Sequence, residues 1–155
     1  MFTIVIVEDE PIELESLRQI ISQCVENAAI HEASTGKKAI HLIDQLSQID
    51  MILVDINIPL PNGKQVIEYL KKKNSDTKII VITANDDFDI VRSMYNLKVD
   101  DYLLKPVKKC ILTDTIKKTL AFDEGENEKS RALKQKVFAM IDDCDYTQWL
   151  SGRMS

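Results

Sequence analysis

Met51-Ile52-Leu53-Val54-Asp55-Ile56-Asn57-Ile58-Pro59 is the stretch on which the fold turns. Four apolar residues stand in a row with no polar alternation. A strand covered on both faces has that pattern, and such strands belong to parallel sheets. The run stops abruptly at Asp55. Three other short runs stop in the same way. Thr3–Val7 runs into Glu8-Asp9-Glu10, Ile79–Ile82 into Thr83, and Asp101–Leu104 into Lys105-Pro106. As neighbouring parallel strands, these runs would bring three carboxylates, a hydroxyl and an ammonium to one crevice at their carboxyl ends. Open α/β sheets bind ligands at that place. The grouping suits a divalent cation and a phosphoryl group.

Between the runs lie amphipathic stretches, and the alternation implies βαβ units. After the first strand, Pro11 suits a first helical position. Leu14, Leu17, Ile21 and Cys24 follow at helical spacing. Ala29–Ala33 is a weak second strand nearer the sheet edge. Gly36 opens a second helix with Ala39, Ile40 and Ile43 inward. Pro59-Leu60-Pro61-Asn62-Gly63 is a loop with strong turn signals. A third helix over 64–73 buries Val66, Ile67 and Leu70. Asp86-Asp87 marks a fourth helix start, where negative charge is favourable, and Ile90, Val91, Met94 and Leu97 form its apolar face. A fifth helix over 108–122 uses Ile111, Leu112, Ile116 and Leu120. The layout is (βα)5 over residues 1–122. Asp123-Glu124-Gly125-Glu126-Asn127 reads as a boundary. Beyond it Leu133, Val137, Met140, Ile141 and Cys144 predict an amphipathic C-terminal helix within 123–155.

Composition narrows the function classes. The chain has 155 residues, 45% hydrophobic and 29% charged, with a net charge of −5. Residues 1–122 hold 15 basic and 18 acidic residues, and residues 123–155 hold 5 and 7. Neither part is a basic module, so direct nucleic-acid binding by this chain is not expected. No apolar run approaches the roughly 18 residues of a membrane span. The N-terminus enters a strand-like run without a basic region or cleavage site, so a cytoplasmic protein is expected. Cys24, Cys110 and Cys144 form no metal spacing and read as reduced thiols.

Residues 1–122 resemble the receiver domain of two-component response regulators. Four pieces carry the resemblance: Ile6-Val7-Glu8-Asp9-Glu10-Pro11, Val54-Asp55-Ile56-Asn57-Ile58-Pro59, Ile82-Thr83-Ala84 and Tyr102-Leu103-Leu104-Lys105-Pro106. They occur in family order, each at a strand end, with 28 positions from Asp55 to Thr83 and 22 from Thr83 to Lys105. Asp86-Asp87-Phe88-Asp89 with Asp100–Val107 further resembles receivers that precede AraC-type DNA-binding domains.

The resemblance implies a doubly wound, flavodoxin-like α/β fold with a five-stranded parallel sheet in the order 2-1-3-4-5. It implies that Asp55 accepts a phosphoryl group from a sensor histidine kinase, and that the chain catalyses only its own phosphorylation and dephosphorylation. Mg²⁺, with Mn²⁺ as an alternative, would sit on Asp9 and Asp55, on Glu8 through water and on the Asn57 backbone carbonyl. Lys105, the Thr83 hydroxyl and the Ala84 backbone N–H would receive the phosphoryl oxygens. Thr83 and Tyr102 would switch the surface over 89–97 and 101–117, with a homodimer on phosphorylation. The output, transcription through a domain absent from this chain, is a further expectation. A cis bond before Pro106 also follows from the family. Glu8 departs from the Asp common at its position and keeps the charge.

Blander readings exist for each residue. Glu8-Asp9-Glu10 can charge a helix N-terminus, Asp55 can end a strand, Thr83 can cap a helix, Tyr102 can pack, and Lys105 can be a solvated lysine. His31 and His41 have no partner pattern, and Lys71-Lys72-Lys73 reads as a solvated helix end. As whole-chain alternatives, a pseudo-receiver would bind partners without phosphorylation, and a hydrolase would use Asp55 on an external phosphoester.

Overall fold

The computed structural model describes residues 2–74, 76–84 and 87–121. Asp86, the boundary at 123–127 and the C-terminal helix expected from the sequence lie outside them. The chain divides into two compact units, Met1–Pro106 and Val107–Ser155.

The first unit alternates strands and helices: β1 (Phe2–Val7), α1 (Pro11–Cys24), β2 (Ala28–Ala33), α2 (Gly36–Gln45), β3 (Met51–Asp55), α3 (Gly63–Lys73), β4 (Lys78–Thr83), α4 (Phe88–Asn96) and β5 (Asp101–Leu104). The five strands form one parallel sheet in the order β2-β1-β3-β4-β5. This is the doubly wound, flavodoxin-like order that the family resemblance implies. In the second unit the described element is α5 (Lys109–Ala121), in which Leu112 and Ile116 are buried.

β3 is buried along its whole length, β1 over Ile4–Val7 and β4 over Ile79–Thr83, as uninterrupted apolar runs require. On one face Val5, Val7, Ile52, Val54, Ile79 and Val81 pack with Ala39 and Ile43 of α2, Val66, Ile67 and Leu70 of α3, and Met94 of α4. The alternate residues, Ile4, Ile6, Met51, Leu53, Ile80 and Ile82, point the other way and are also buried, and α1 lies against β1 and β2. Burial of a dozen apolar side chains at about 1.5–3 kcal/mol each is what fixes the register.

Aspartates finish the ladder at the amino ends of the strands. Asp50 accepts from the Thr3 N–H at 2.7 Å, and Asp100 accepts from the Ile79 N–H at 2.7 Å. Each satisfies a strand-start donor that has no partner within the sheet. Helices α2 and α3 start on side-chain caps. Thr35 accepts from the Lys38 N–H, and Asn62 and Gln65 close a reciprocal capping box on α3. Such caps contribute about 1 kcal/mol each. Pro11 takes the first position of α1.

One sequence expectation needs correction. Val91 was expected on the buried face of α4 but is 39% exposed. Met94 is buried and Ile90 and Leu97 pack partly on the core. Val91 is one helical step, about 100°, round from Ile90, so it falls off the stripe once Met94 faces the sheet. Among the described residues, no helix is long and apolar enough to cross a membrane.

Candidate functional site

The register decides which polar residues meet. Val7 pairs with Val54, so the next residues, Glu8 and Asp55, leave the sheet side by side. Asp55 lies opposite Ile82, and Thr83 opposite Leu104, which puts Thr83 and Lys105 on the adjoining strand ends. Glu8, Asp9 and Asp55 can each place one oxygen within 4.8 Å of the others. Glu8 is fully buried, Asp55 nearly so, and Asp9 is exposed. Three carboxylates around one point form a hard oxygen donor set suited to a divalent cation of the Mg²⁺ or Ca²⁺ type.

Lys105 reaches into this group. Its Nζ donates to Asp55 Oδ2 at 2.9 Å, to Glu8 Oε2 at 3.1 Å and to Glu13 Oε2. The blander reading of Lys105 as a solvated lysine is therefore set aside. Two carboxylates about 5 Å apart repel by roughly 3 kcal/mol at an effective dielectric near 20. The folded chain offsets that repulsion with the lysine. Burial pushes the Glu8 carboxyl up to about 8; Lys105 opposes the shift, while Asp55 and Glu13 add to it. Burial works against the Lys105 charge, but hydrogen bonds to Glu13, Asp55 and Glu8 outweigh it and raise its pKa.

Asp55 is held from the other side by backbone. Its Oδ1 accepts from the Asn57 N–H at 2.9 Å. The Asn57 side chain then donates to Thr83 Oγ1 at 3.0 Å, so the hydroxyl expected to face a phosphoryl group is tied to the loop after Asp55. Thr83 is fully buried, and the cap of α4 is Asp87, not Thr83. Ala84 follows Thr83 in an exposed bend. Tyr102 is half-buried and packs on the core cluster. The Lys105–Pro106 bond is cis, as is Leu60–Pro61.

Gly63 completes the seat of Asp55. A Cβ on Gly63 would lie 2.6 Å from the Asp55 carbonyl oxygen and 2.6 Å from the Ile56 Cα. Its N–H donates to the Ile56 carbonyl at 3.2 Å. Only glycine lets α3 begin directly on the peptide of Asp55.

The structure thus gathers Glu8, Asp9, Asp55, Asn57, Thr83 and Lys105 at one end of the sheet. Three participants carry little signal in the sequence. Glu13 carries no signal, being an ordinary acidic residue in the first turn of a helix. For Asn57 the resemblance points to the backbone carbonyl and not to the side chain. Gly63 sits among turn residues, and its place just before an apolar-periodic helix is the usable sign of close approach.

Residues 4–117 match the family model of the response regulator receiver domain. A cyclic di-GMP phosphodiesterase of Thermotoga maritima is 33% identical over 141 residues, covering 89% of this chain and 37% of that protein. The nitrate/nitrite response regulator protein NarL of Escherichia coli is 30% identical over 139 residues, covering 90% of this chain and 62% of the relative. The chain therefore spans less than two thirds of the length of either relative. Among solved structures, a CheY-like response regulator receiver domain from Methanospirillum hungatei superposes with a TM-score of 0.75 at 27% identity, covering 82% of this chain and 99% of that one. With its strand order, its acidic cluster and its strand-end lysine in place, the chain belongs to the response regulator receiver domain family.

Proposed function

We propose that the chain is a phosphorylation switch in which Asp55 is the phosphoacceptor. The observation that carries this reading is the pairing of Asp55 Oδ2 with Lys105 Nζ at 2.9 Å beside Glu8 and Asp9. It supplies a nucleophilic carboxylate, a cation for phosphoryl oxygens and a donor set for a metal within one cleft.

The donor is a sensor histidine kinase. An Asp55 oxygen attacks phosphorus as the bond to the kinase imidazole nitrogen breaks, and that nitrogen keeps the electron pair. Oδ1 is tied to the backbone, which leaves Oδ2, paired with a movable side chain, as the attacking oxygen. Phosphoryl transfer asks little covalent work of the protein, so position and charge compensation dominate. Asp9 and Asp55 directly, Glu8 through water and the Asn57 carbonyl would hold Mg²⁺ or Mn²⁺. When bound, the cation neutralises the anionic oxygens of acceptor and phosphoryl group. Lys105 contributes a point charge, and Thr83 with the Ala84 N–H contributes hydrogen-bond donors. Asn57 donates to the Thr83 oxygen and so orients the hydroxyl, whose proton is what Thr83 would offer a phosphoryl oxygen.

An aspartyl phosphate adds nearly two negative charges and three strong acceptors. Thr83 would turn toward it and Tyr102 would repack, shifting a pre-existing equilibrium at α4 and β5. Homodimerisation and a transcriptional output through a further, AraC-type domain extend the reading, as does a cytoplasmic setting. Catalysis is confined to the chain's own phosphorylation and dephosphorylation.

Incubation with acetyl phosphate and Mg²⁺ should add one phosphoryl group, seen as a single mass increment. Asp55→Asn should abolish it while leaving the fold unchanged by circular dichroism. Labelling that survives in the variant would refute the assignment.

A further inference from the structure

Lys105 has three ammonium protons and faces three carboxylates: Asp55, Glu8 and Glu13. Two of these side chains are buried, Glu8 at 0% and Asp55 at 6% exposure, whereas Glu13 is 45% exposed. Glu13 is also the one that does not belong to the acidic cluster of Glu8, Asp9 and Asp55. It comes from the first turn of α1 and meets Lys105 from across 92 positions of sequence.

A phosphoryl oxygen arriving on Asp55 needs a donor from Lys105, and every donor is already committed. One carboxylate must let go. Releasing Glu8 or Asp55 would leave a buried carboxylate without its cation, which is costly. Glu13 can turn into water and be rehydrated at little cost. The charge balance gives the same answer. With a divalent cation bound, Glu8, Asp9 and Asp55 are matched by that cation and Lys105. Glu13 adds one uncompensated negative charge facing an anionic phosphodonor.

We propose that Glu13 is a positioning residue that acts through Lys105: it occupies the lysine in place of the phosphoryl group and is displaced from it on phosphorylation. The proposal rests on the reading of Asp55 as phosphoacceptor. It makes Glu13 a built-in competitor that restrains phosphorylation, and it makes the start of α1 a part of the molecule that senses the state of Asp55.

The test uses the full chain, acetyl phosphate and Mg²⁺, with no kinase, so that any role of α1 in docking a partner does not enter. Glu13→Gln should raise the second-order rate of phosphorylation by about three- to tenfold, the effect of one unit charge roughly 6 Å away at an effective dielectric of about 40–80. Affinity for beryllofluoride should rise in step, and the gain should shrink at high salt. Glu15→Gln removes an equal charge from the same helix, but Glu15 pairs with Arg18 and not Lys105, so that variant should keep the parent rate. A slower Glu13→Gln would mean that Glu13 steadies Lys105 for the reaction, and would overturn the proposal. So would an unchanged rate, the outcome expected if Glu13 serves only the helix dipole. Equal acceleration by Glu15→Gln would reduce the effect to net charge and overturn it as well. If the parent itself is not labelled at Asp55, the underlying reading fails and the proposal falls with it. Labelling of the parent without the Glu13 effect refutes the proposal alone.

Discussion

Glu8 offers the sharpest quantitative prediction. Its carboxyl is pushed up to about 8 by burial, yet a cation in the cluster of Glu8, Asp9 and Asp55 needs it ionised. Metal binding must therefore expel a proton from Glu8 whenever the pH lies below 8. The apparent dissociation constant for Mg²⁺ scales with one plus the ratio of protonated to ionised Glu8. At pH 6.5 that factor is about 30, and at pH 9 it is close to 1, so affinity should strengthen about thirtyfold over that range. The measurement is a Mg²⁺ titration followed by the amide shift of Asn57 at several pH values. Calorimetry in two buffers of different ionisation enthalpy counts the protons released, which should approach one per Mg²⁺ at pH 6.5. Glu8→Gln should bind Mg²⁺ more weakly at pH 9 and lose most of the pH dependence. An affinity that is flat from pH 6.5 to 9, or a Glu8→Gln variant that keeps the parent slope, would refute the reasoning. The same shift has a stability consequence. Folding takes up a proton on Glu8, so its contribution is fully present below pH 4.5 and is lost as pH rises through about 8. Without metal the melting temperature should fall across that window, and Mg²⁺ should restore it at the upper end.

Other perturbations test the seat and the hydrogen bonds of the site. Gly63→Ala places a methyl 2.6 Å from the Asp55 carbonyl oxygen and the Ile56 Cα, and overpacking of this kind costs about 1–3 kcal/mol. Urea unfolding should show the loss, and acetyl phosphate labelling should slow in the folded variant. Asn57→Ala removes the bond to Thr83 and should cost about 1 kcal/mol, with the Thr83 amide shift in NMR spectra as the direct readout. Lys105→Met leaves Glu8 and Asp55 buried without their cation. Stability of the metal-free chain should drop by on the order of 2 kcal/mol at pH 8 and by less at pH 6, where Glu8 can hold its proton, as thermal melts at the two pH values will show.

The strand ends were legible because burial writes itself into sequence without ambiguity there. Met51–Val54 and Ile79–Ile82 are apolar at every position, so the first polar residue after each run marks the edge of the core. Asp55 and Thr83 stand at those edges. Two apolar-run rules and a parallel sheet bring them together. Glu13 obeys no such rule. An exposed acidic residue in a first helical turn has an adequate local explanation, and its meeting with Lys105 depends on the exact placement of α1 over β1 and on a long, flexible side chain. Asp50 and Asp100 were equally silent, since their role is to accept from strand-start amides, which any short polar residue could suggest. Val91 shows the limit of periodicity on a helix of nine residues, where the apolar stripe is too short to fix its own margin.

Gly63 has a consequence for how information leaves the cleft. Because α3 begins against the Asp55 peptide, and because Asp55 Oδ1 is bonded to the Asn57 backbone, Asp55 is clamped between a core strand and a helix start. It cannot travel when its charge changes. Lys105, by contrast, meets it through a side chain that can reorient, and Glu13 on Lys105 and Thr83 on the Asn57 side chain stand one contact further out. With Asp55 as the anvil and its neighbours as the moving parts, a message written on β3 would be read out along β4, β5 and α1, while α3 stays still.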